Sequence, residues 1–312
     1  MSARLGTDAK GVYVISATPF TEEGAVDHDS TRRLTDFYLE RGAHGLTILG
    51  ILGEQQKLSP EESHAFAQTV LGHVGGKVPV IVGAASPYLD NLKVFAQRMM
   101  DAGAAGIMVA PMPGLRSDDQ VYGFYQRICN LLADIPLVVQ DYPQTTGVYM
   151  SPTVINRIID DFPNVVMLKH EDCPGLDKLT TVREHGLSKG RRVSILIGNG
   201  ALHYPQELAR GADGAMTGFS YPEMMIDVYR LWIEGRTDAA EDLFDAYLPL
   251  VRHELQPGIG LAIRKYVLMR RGAMACAGLR LPGPKLDARG QAEVDAIIVR
   301  LERRLSEIGQ RA

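Results

Sequence analysis

The sequence is poor in the features that mark several protein classes. Its 312 residues include only three cysteines, Cys129, Cys173 and Cys276, scattered and odd in number. That argues against a disulfide framework and fits a reducing cytoplasm, the expected location. No CxxC spacing occurs, so a zinc site built on thiolates is not expected. No apolar run is long enough to span a bilayer. The opening MSARLGTDAKG lacks the charged, apolar and small-residue order of a secretory signal. The formal net charge is −4, with no basic stripe or polybasic tail, which argues against nucleic acid and membrane as partners. No linker or low-complexity stretch divides the chain, and no GxGxxG follows the first apolar run.

What is present is 46% hydrophobic residues, enough for one large core. Short apolar, β-rich runs occur at 12–17, 46–49, 78–83, 106–110, 136–140, 165–169, 193–197 and 214–217. Each is apolar at nearly every position, as strands buried on both faces require. Helical patterns separate them. At 31–41, Leu34, Phe37, Tyr38 and Arg41 recur at three- and four-residue steps. Ser59-Pro60-Glu61-Glu62 and Ser151-Pro152 open helices with an N-cap serine and a first-turn proline. Helical stretches at 91–102 and 118–132 follow the same pattern, and Gly42, Gly103 and Gly211 stand where left-handed C-caps want glycine. Strand and helix alternate eight times, which predicts an α/β fold, a (β/α)₈ TIM barrel, over an open doubly wound sheet. Beyond Tyr221 the pattern is helical, at 222–234, 237–254, 260–271 and 287–307. The expected division is a catalytic barrel at 1–235 and a C-terminal helical extension packed on it at 236–312.

In such a barrel the active site gathers where the strands end. Those ends are Thr18-Pro19-Phe20, Gly50-Ile51-Leu52-Gly53-Glu54, Ala84-Ala85-Ser86, the 110–114 and 140–143 segments, Lys169-His170-Glu171-Asp172, Gly198-Asn199-Gly200 and Thr217-Gly218-Phe219-Ser220. One lysine, Lys169, directly continues an apolar run, Val-Val-Met-Leu-Lys. Burial favours the neutral form of an amine, and a neutral amine attacks a ketone to make an imine. The alternative is a barrel-mouth lysine paired with Glu171 or Asp172. The glycine-bracketed turn at Gly50, Ile51 and Leu52 offers backbone N–H groups to a carboxylate, or is a tight corner and nothing more. Gly198, Asn199, Met216 and Thr217 flank the last two strands, where barrels often bind phosphate, but neither loop contains Lys or Arg. His170, Glu171 and Asp172 are metal-ligand types, yet adjacent positions on a strand tip diverge, so no metal is expected.

With these residues in view, the chain resembles the dihydrodipicolinate synthase/N-acetylneuraminate lyase family over nearly its whole length. The markers are Thr18-Pro19-Phe20, the 50–54 turn in place of a GTTGE loop, Pro143 and Lys169. The resemblance implies a homo-oligomeric Schiff-base lyase, a tetramer or dimer, acting on pyruvate or a small 2-oxo acid. It implies no cofactor beyond the lysine imine, with Lys169 as imine former and Gly50, Ile51 and Leu52 holding the carboxylate. Departures are large. The family's proton-relay tyrosine falls on Gln140, its loop threonines on Ile51 and Leu52, the tyrosine from the neighbouring subunit near Met112 or Pro113, and the synthase arginine on Thr145. A glutamine amide does not titrate usefully, so the relay is lost.

A subgroup fits better. The Val139-Gln140-Asp141 segment, Gly53-Glu54-Gln55, Gly214-Ala215-Met216-Thr217-Gly218 and the 250–254 region look like L-2-keto-3-deoxyarabonate dehydratases. That implies dehydratase or aldolase chemistry on 2-keto-3-deoxy sugar acids. Glu54, Asp141 and Glu171 are the candidate proton carriers, with Gln140 orienting a substrate hydroxyl or water. Two alternatives stand beside it: a dihydrodipicolinate synthase condensing pyruvate with aspartate semialdehyde, and a catalytically retired barrel that binds a 2-oxo acid.

Overall fold

A computed structural model describes residues 4–84 and 89–309; Ala85 and Ser86 of the third strand end lie outside the described residues. Eight parallel strands close a barrel in chain order: β1 (Gly11–Ile15), β2 (Gly45–Ile48), β3 (Val80–Gly83), β4 (Gly106–Val109), β5 (Leu137–Asp141), β6 (Val165–His170), β7 (Ser194–Ile197) and β8 (Gly214–Ala215). The expected TIM barrel is what the chain forms. β8 is shorter than the predicted run, yet the ladder continues past it: Met216 N–H donates to Ile197 O at 2.7 Å and Ile15 N–H to Thr217 O at 3.0 Å. β3 starts at Val80 because Pro79 has no N–H to give a ladder.

The helices are α1 (His28–Glu40), α2 (Pro60–Val74), α3 (Leu89–Asp101), α4 (Asp118–Leu131), α5 (Pro143–Thr146), α6 (Pro152–Asp161), α7 (Leu176–Ser188), α8 (Tyr204–Ala209), α9 (Pro222–Ile233), α10 (Thr237–Glu254), α11 (Gly260–Arg270) and α12 (Ala288–Glu307). Their starts follow local chemistry. Ser59 and Glu62 form a reciprocal capping box on α2, and Ser151 accepts from Val154 N–H at the start of α6. α1 begins one turn before the apolar pattern does, because the Asp27 side chain accepts from Ser30 N–H. Gly42, Gly103 and Gly211 all take positive φ, as expected of helix-terminating glycines. A turn at 234–236 joins α9 to α10, and α10 packs against α9 and α12. No helix among the described residues is long and apolar enough to cross a membrane.

Alternation along the strands splits the core in two. Tyr13, Ile15, Ile81, Met108, Val138, Met167, Leu196 and Met216 fill the barrel interior. Val12, Val14, Leu46, Ile48, Val139, Leu168, Ile195 and Ile197 pack outward against the helices. This parity decides which strand-end side chains share the barrel mouth.

Candidate active site

Lys169 stands two residues beyond Met167 on β6, so it faces the barrel interior, and it is 3% exposed. Its register partner on β5 is Gln140, which follows inward-facing Val138 by the same step. Glu171 shares that parity. Its Oε2 lies 3.0 Å from Lys169 Nζ and accepts from Gln140 Nε2 at 2.6 Å. Its Oε1 accepts from Asn199 N–H at 3.4 Å. Gly198 makes room for this carboxylate, because a Cβ there would stand 2.2 Å from Glu171 Cγ. The following loop is held by Thr217, whose Oγ1 accepts from Gly200 N–H at 2.9 Å. An amine, a carboxylate and an amide thus share one buried cluster.

Across the mouth, Gly50 leads into a single 3₁₀ turn, Ile51–Gly53, closed by Gly53 N–H donating to Gly50 O at 2.9 Å. Thr18 Oγ1 donates to Gly53 O at 2.6 Å and fixes the turn from the β1 side. The Ile51 and Leu52 N–H groups have no described acceptor, and both side chains are aliphatic. A cleft of about 360 Å³ opens beside them, lined by Gly50, Ile51, Met108, Met112, Gln140 and Thr145 among others. It is mostly apolar. Gln140, Met112 and Thr145, the positions set in the sequence against the family's tyrosines and arginine, all line this cleft.

Two of the expected proton carriers are placed elsewhere. Asp141 follows Gln140, so it faces the helical layer, where Oδ2 accepts from Lys178 at 3.0 Å and lies 3.4 Å from His170 Nδ1. Alternation on β5 removes it from the mouth. Glu54, at a left-handed φ of 53°, turns toward the extension. Its Oε1 accepts from Lys265 at 2.7 Å, and its Oε2 accepts from Lys57 at 2.8 Å and from Arg280 N–H at 3.2 Å. Burial lowers the Lys265 pKa, and the Glu54 charge opposes that shift. Glu54 therefore braces the Gly50–Glu54 corner, and Glu171 is the carboxylate that meets Lys169. The signal was in the sequence: Glu171 is two residues from Lys169, on the same face of one strand. His170 points outward, its Nε2 2.9 Å from Gly175 O, so the His-Glu-Asp run cannot converge on one ion. Among the described residues no group of three His, Cys, Asp or Glu is placed to hold a metal.

No local pattern singles out Arg264. It comes from α11, is 5% exposed, and its Nε donates to Glu254 Oε2 at 2.9 Å. Glu254 also accepts from Ser220 N–H at 3.3 Å and from the Ser220 hydroxyl. The guanidinium ends beside Gly218, in the loop after β8 that carries no basic residue of its own.

Comparison with known proteins places this geometry. The Dihydrodipicolinate synthetase family matches residues 8–301. L-2-keto-3-deoxyarabonate dehydratase of Azospirillum brasilense is 30% identical over 309 residues, covering 94% of each chain. A probable 2-dehydro-3-deoxy-D-pentonate aldolase of Escherichia coli K12 is 27% identical over 272 residues, covering 86% of this chain and 87% of its own. The crystal structure of dihydrodipicolinate synthase from Rhodopseudomonas palustris superposes with a TM-score of 0.94 at 45% identity, covering 96% of this chain and all of its own. The resemblance seen in the sequence holds, and the chain belongs to the dihydrodipicolinate synthetase family of lyases.

Proposed function

We propose that this enzyme dehydrates a 2-keto-3-deoxy sugar acid through an imine on Lys169, with Glu171 carrying the proton. The observation that carries the reading is the contact of Glu171 with both Lys169 Nζ and Gln140 Nε2, at 3.0 and 2.6 Å, where the family's relay has a tyrosine. Lys169 adds to the C2 ketone and water leaves, giving an iminium that acidifies C3. Glu171 takes a C3 proton, and the electron pair forms the enamine. The enamine then expels the C4 hydroxyl, which leaves as water with the proton that Glu171 returns. Hydrolysis frees the product and Lys169. Gln140 orients Glu171 by donating to it, and the free N–H groups of Ile51 and Leu52 receive the substrate carboxylate. Thr18 and Thr217 hold the two loops, while Gly198, Asn199 and Met216 shape the wall. The reading invokes no metal or organic cofactor, treats 1–235 as the catalytic barrel and 236–312 as its support, and expects a cytoplasmic homo-oligomer.

Two readings stand against it. A synthase needs a hydroxyl relay that Gln140, Ile51 and Leu52 do not provide. An aldolase needs the C4 hydroxyl deprotonated, whereas Glu171 as drawn protonates it on departure. The test is cyanoborohydride trapping with a 2-oxo acid, followed by mass mapping, alongside turnover of 2-keto-3-deoxy acids. An adduct on Lys169 and release of water without chain cleavage are expected. Absence of any adduct together with full activity in Lys169→Ala would refute the mechanism. Product from pyruvate and aspartate semialdehyde would favour the synthase, and imine formation without turnover would favour a retired binding barrel.

A further inference from the structure

The Ile51–Gly53 turn carries aliphatic side chains at Ile51 and Leu52, which leave a carboxylate only two backbone donors there. A charged ligand group in an apolar cleft then lacks a counter-charge, and a buried charge is costly without one. Lys169 and Glu171 do not supply it, since they already neutralise each other at 3.0 Å.

Arg264 approaches the Ile51–Gly53 turn from the α11 side, across Gly218. Its Nε is fixed to Glu254, but neither Nη1 nor Nη2 makes a hydrogen bond to any described residue, although the side chain is 5% exposed. An arginine has five N–H donors in a rigid fork, and neither Nη is among the fully buried orphans, so the outer edge of this fork faces accessible space. The open edge of the fork reaches the barrel rim through Gly218. A Cβ built there would lie 3.1 Å from Arg264 Nη1, 3.1 Å from Leu52 Cδ1 and 3.1 Å from Ile15 O. Ile15 belongs to the barrel-interior cluster and Leu52 packs against it. Gly218 is thus an opening in the wall between α11 and the barrel mouth, and the guanidinium stands in it, beside the turn whose amides are free.

Building on the imine reading above, we infer that Arg264 is a specificity-determining residue that binds the carboxylate of the 2-oxo acid, together with the Ile51 and Leu52 amides. Glu254 and Ser220 hold the inner edge of the guanidinium so that its outer edge meets the ligand. The positive charge adds the counter-charge that two amides alone do not supply, and it selects 2-oxo acids over neutral ketones. A charge-assisted hydrogen bond of this kind contributes about 1.5–3 kcal/mol, which is a factor of roughly ten to a hundred in half-saturation.

The test compares pyruvate with its neutral amide, pyruvamide, in wild type, Arg264→Lys and Gly218→Ala. Arg264→Lys keeps a cation for Glu254 but shortens the reach. Gly218→Ala leaves the ion pair intact and places a methyl against Nη1. Borohydride trapping at Lys169 is followed against ketone concentration, with calorimetric binding in parallel. In Arg264→Lys the half-saturating pyruvate rises about tenfold or more, while pyruvamide moves less than about threefold and the saturated trapping rate is kept. Gly218→Ala shifts the same way and decides the matter if the lysine variant fails to fold. Unchanged pyruvate affinity, or equal loss for both ketones, overturns the role. So does weakening confined to a phosphorylated 2-keto-3-deoxy acid, which would put the guanidinium at the far end of the substrate. Pyruvate binding that depends on Arg264 without any trapping would refute imine chemistry and leave Arg264 standing; no pyruvate binding at all overturns both.

Discussion

The sharpest perturbation is Glu171→Gln, which removes one charge and almost no volume. Glu171 Oε2 pairs with Lys169 Nζ at 3.0 Å and accepts from Gln140 Nε2 at 2.6 Å, and Oε1 accepts from Asn199 N–H at 3.4 Å. A glutamine can turn its oxygen toward Gln140 and keep that hydrogen bond. Its NH₂ then faces Asn199 N–H, donor against donor, but that is the longest of the three contacts. The structural cost is one weak hydrogen bond plus a broken buried ion pair, up to about 3–5 kcal/mol, so a thermal melt accompanies the assay. The chemical cost is separate. An amide neither takes the C3 proton nor returns one to the leaving hydroxyl. General acid–base catalysis contributes about 10²–10⁴, so kcat should fall by that factor, equivalent to about 3–5 kcal/mol of barrier. Imine trapping with pyruvate should persist, because Lys169 remains. The assay is steady-state dehydration beside cyanoborohydride trapping on the same preparation. Dehydration within about threefold of wild type would show that another group carries the proton, since a general base is worth at least about a hundredfold.

Three further outcomes follow from the structure. Lys265→Met leaves Glu54 buried with only Lys57 and the Arg280 amide, so unfolding in denaturant should show a loss at the lower end of about 3–5 kcal/mol, and half-saturating pyruvate should rise as the Ile51–Gly53 turn loosens. Gly198→Ala puts a Cβ 2.2 Å from Glu171 Cγ, which displaces the carboxylate; kcat should drop with a stability cost of about 1–3 kcal/mol, checked by turnover and thermal melts. Burial raises the Glu207 carboxyl to about 7, so the folded state favours its protonated form. That contribution to stability is present below the unfolded value near 4.5 and is lost as pH rises through about 7. Glu207→Gln should therefore stabilise the protein relative to wild type at about pH 8, by no more than about 3 kcal/mol, and make little difference near pH 4; denaturation midpoints at both pH values decide it.

The barrel was legible because its determinants are local. Runs such as Val165-Val166-Met167-Leu168 read as buried strands, and the Ser59-Pro60 and Ser151-Pro152 pairs announce helix starts, whatever the rest of the chain does. Lys169 could be singled out for the same reason: a charge directly continuing an apolar run is visible in one dimension. Strand parity was available too. Taking Lys169 as inward-facing places Glu171 and Gln140 inward by two-residue steps and register, and Asp141 outward, so weighing three carboxylates equally overlooked a period-two constraint.

Other features depended on contacts that no local pattern encodes. Glu54 sits in a glycine-rich turn beside the candidate site, and it is withdrawn by Lys265, 211 residues away, and by the Arg280 backbone. Arg264 lies in a helix outside the barrel strands, and only the packing of α10 and α11 brings its guanidinium to Gly218. The sequence alone thus determined the barrel, the lysine and the missing hydroxyls, because these are set by residue type and spacing along one strand. The tertiary structure decided that Glu54 is withdrawn from the site and which distant cation stands at the rim. Those depend on where the closure of the barrel and the docking of the extension place charges that the chain itself keeps far apart.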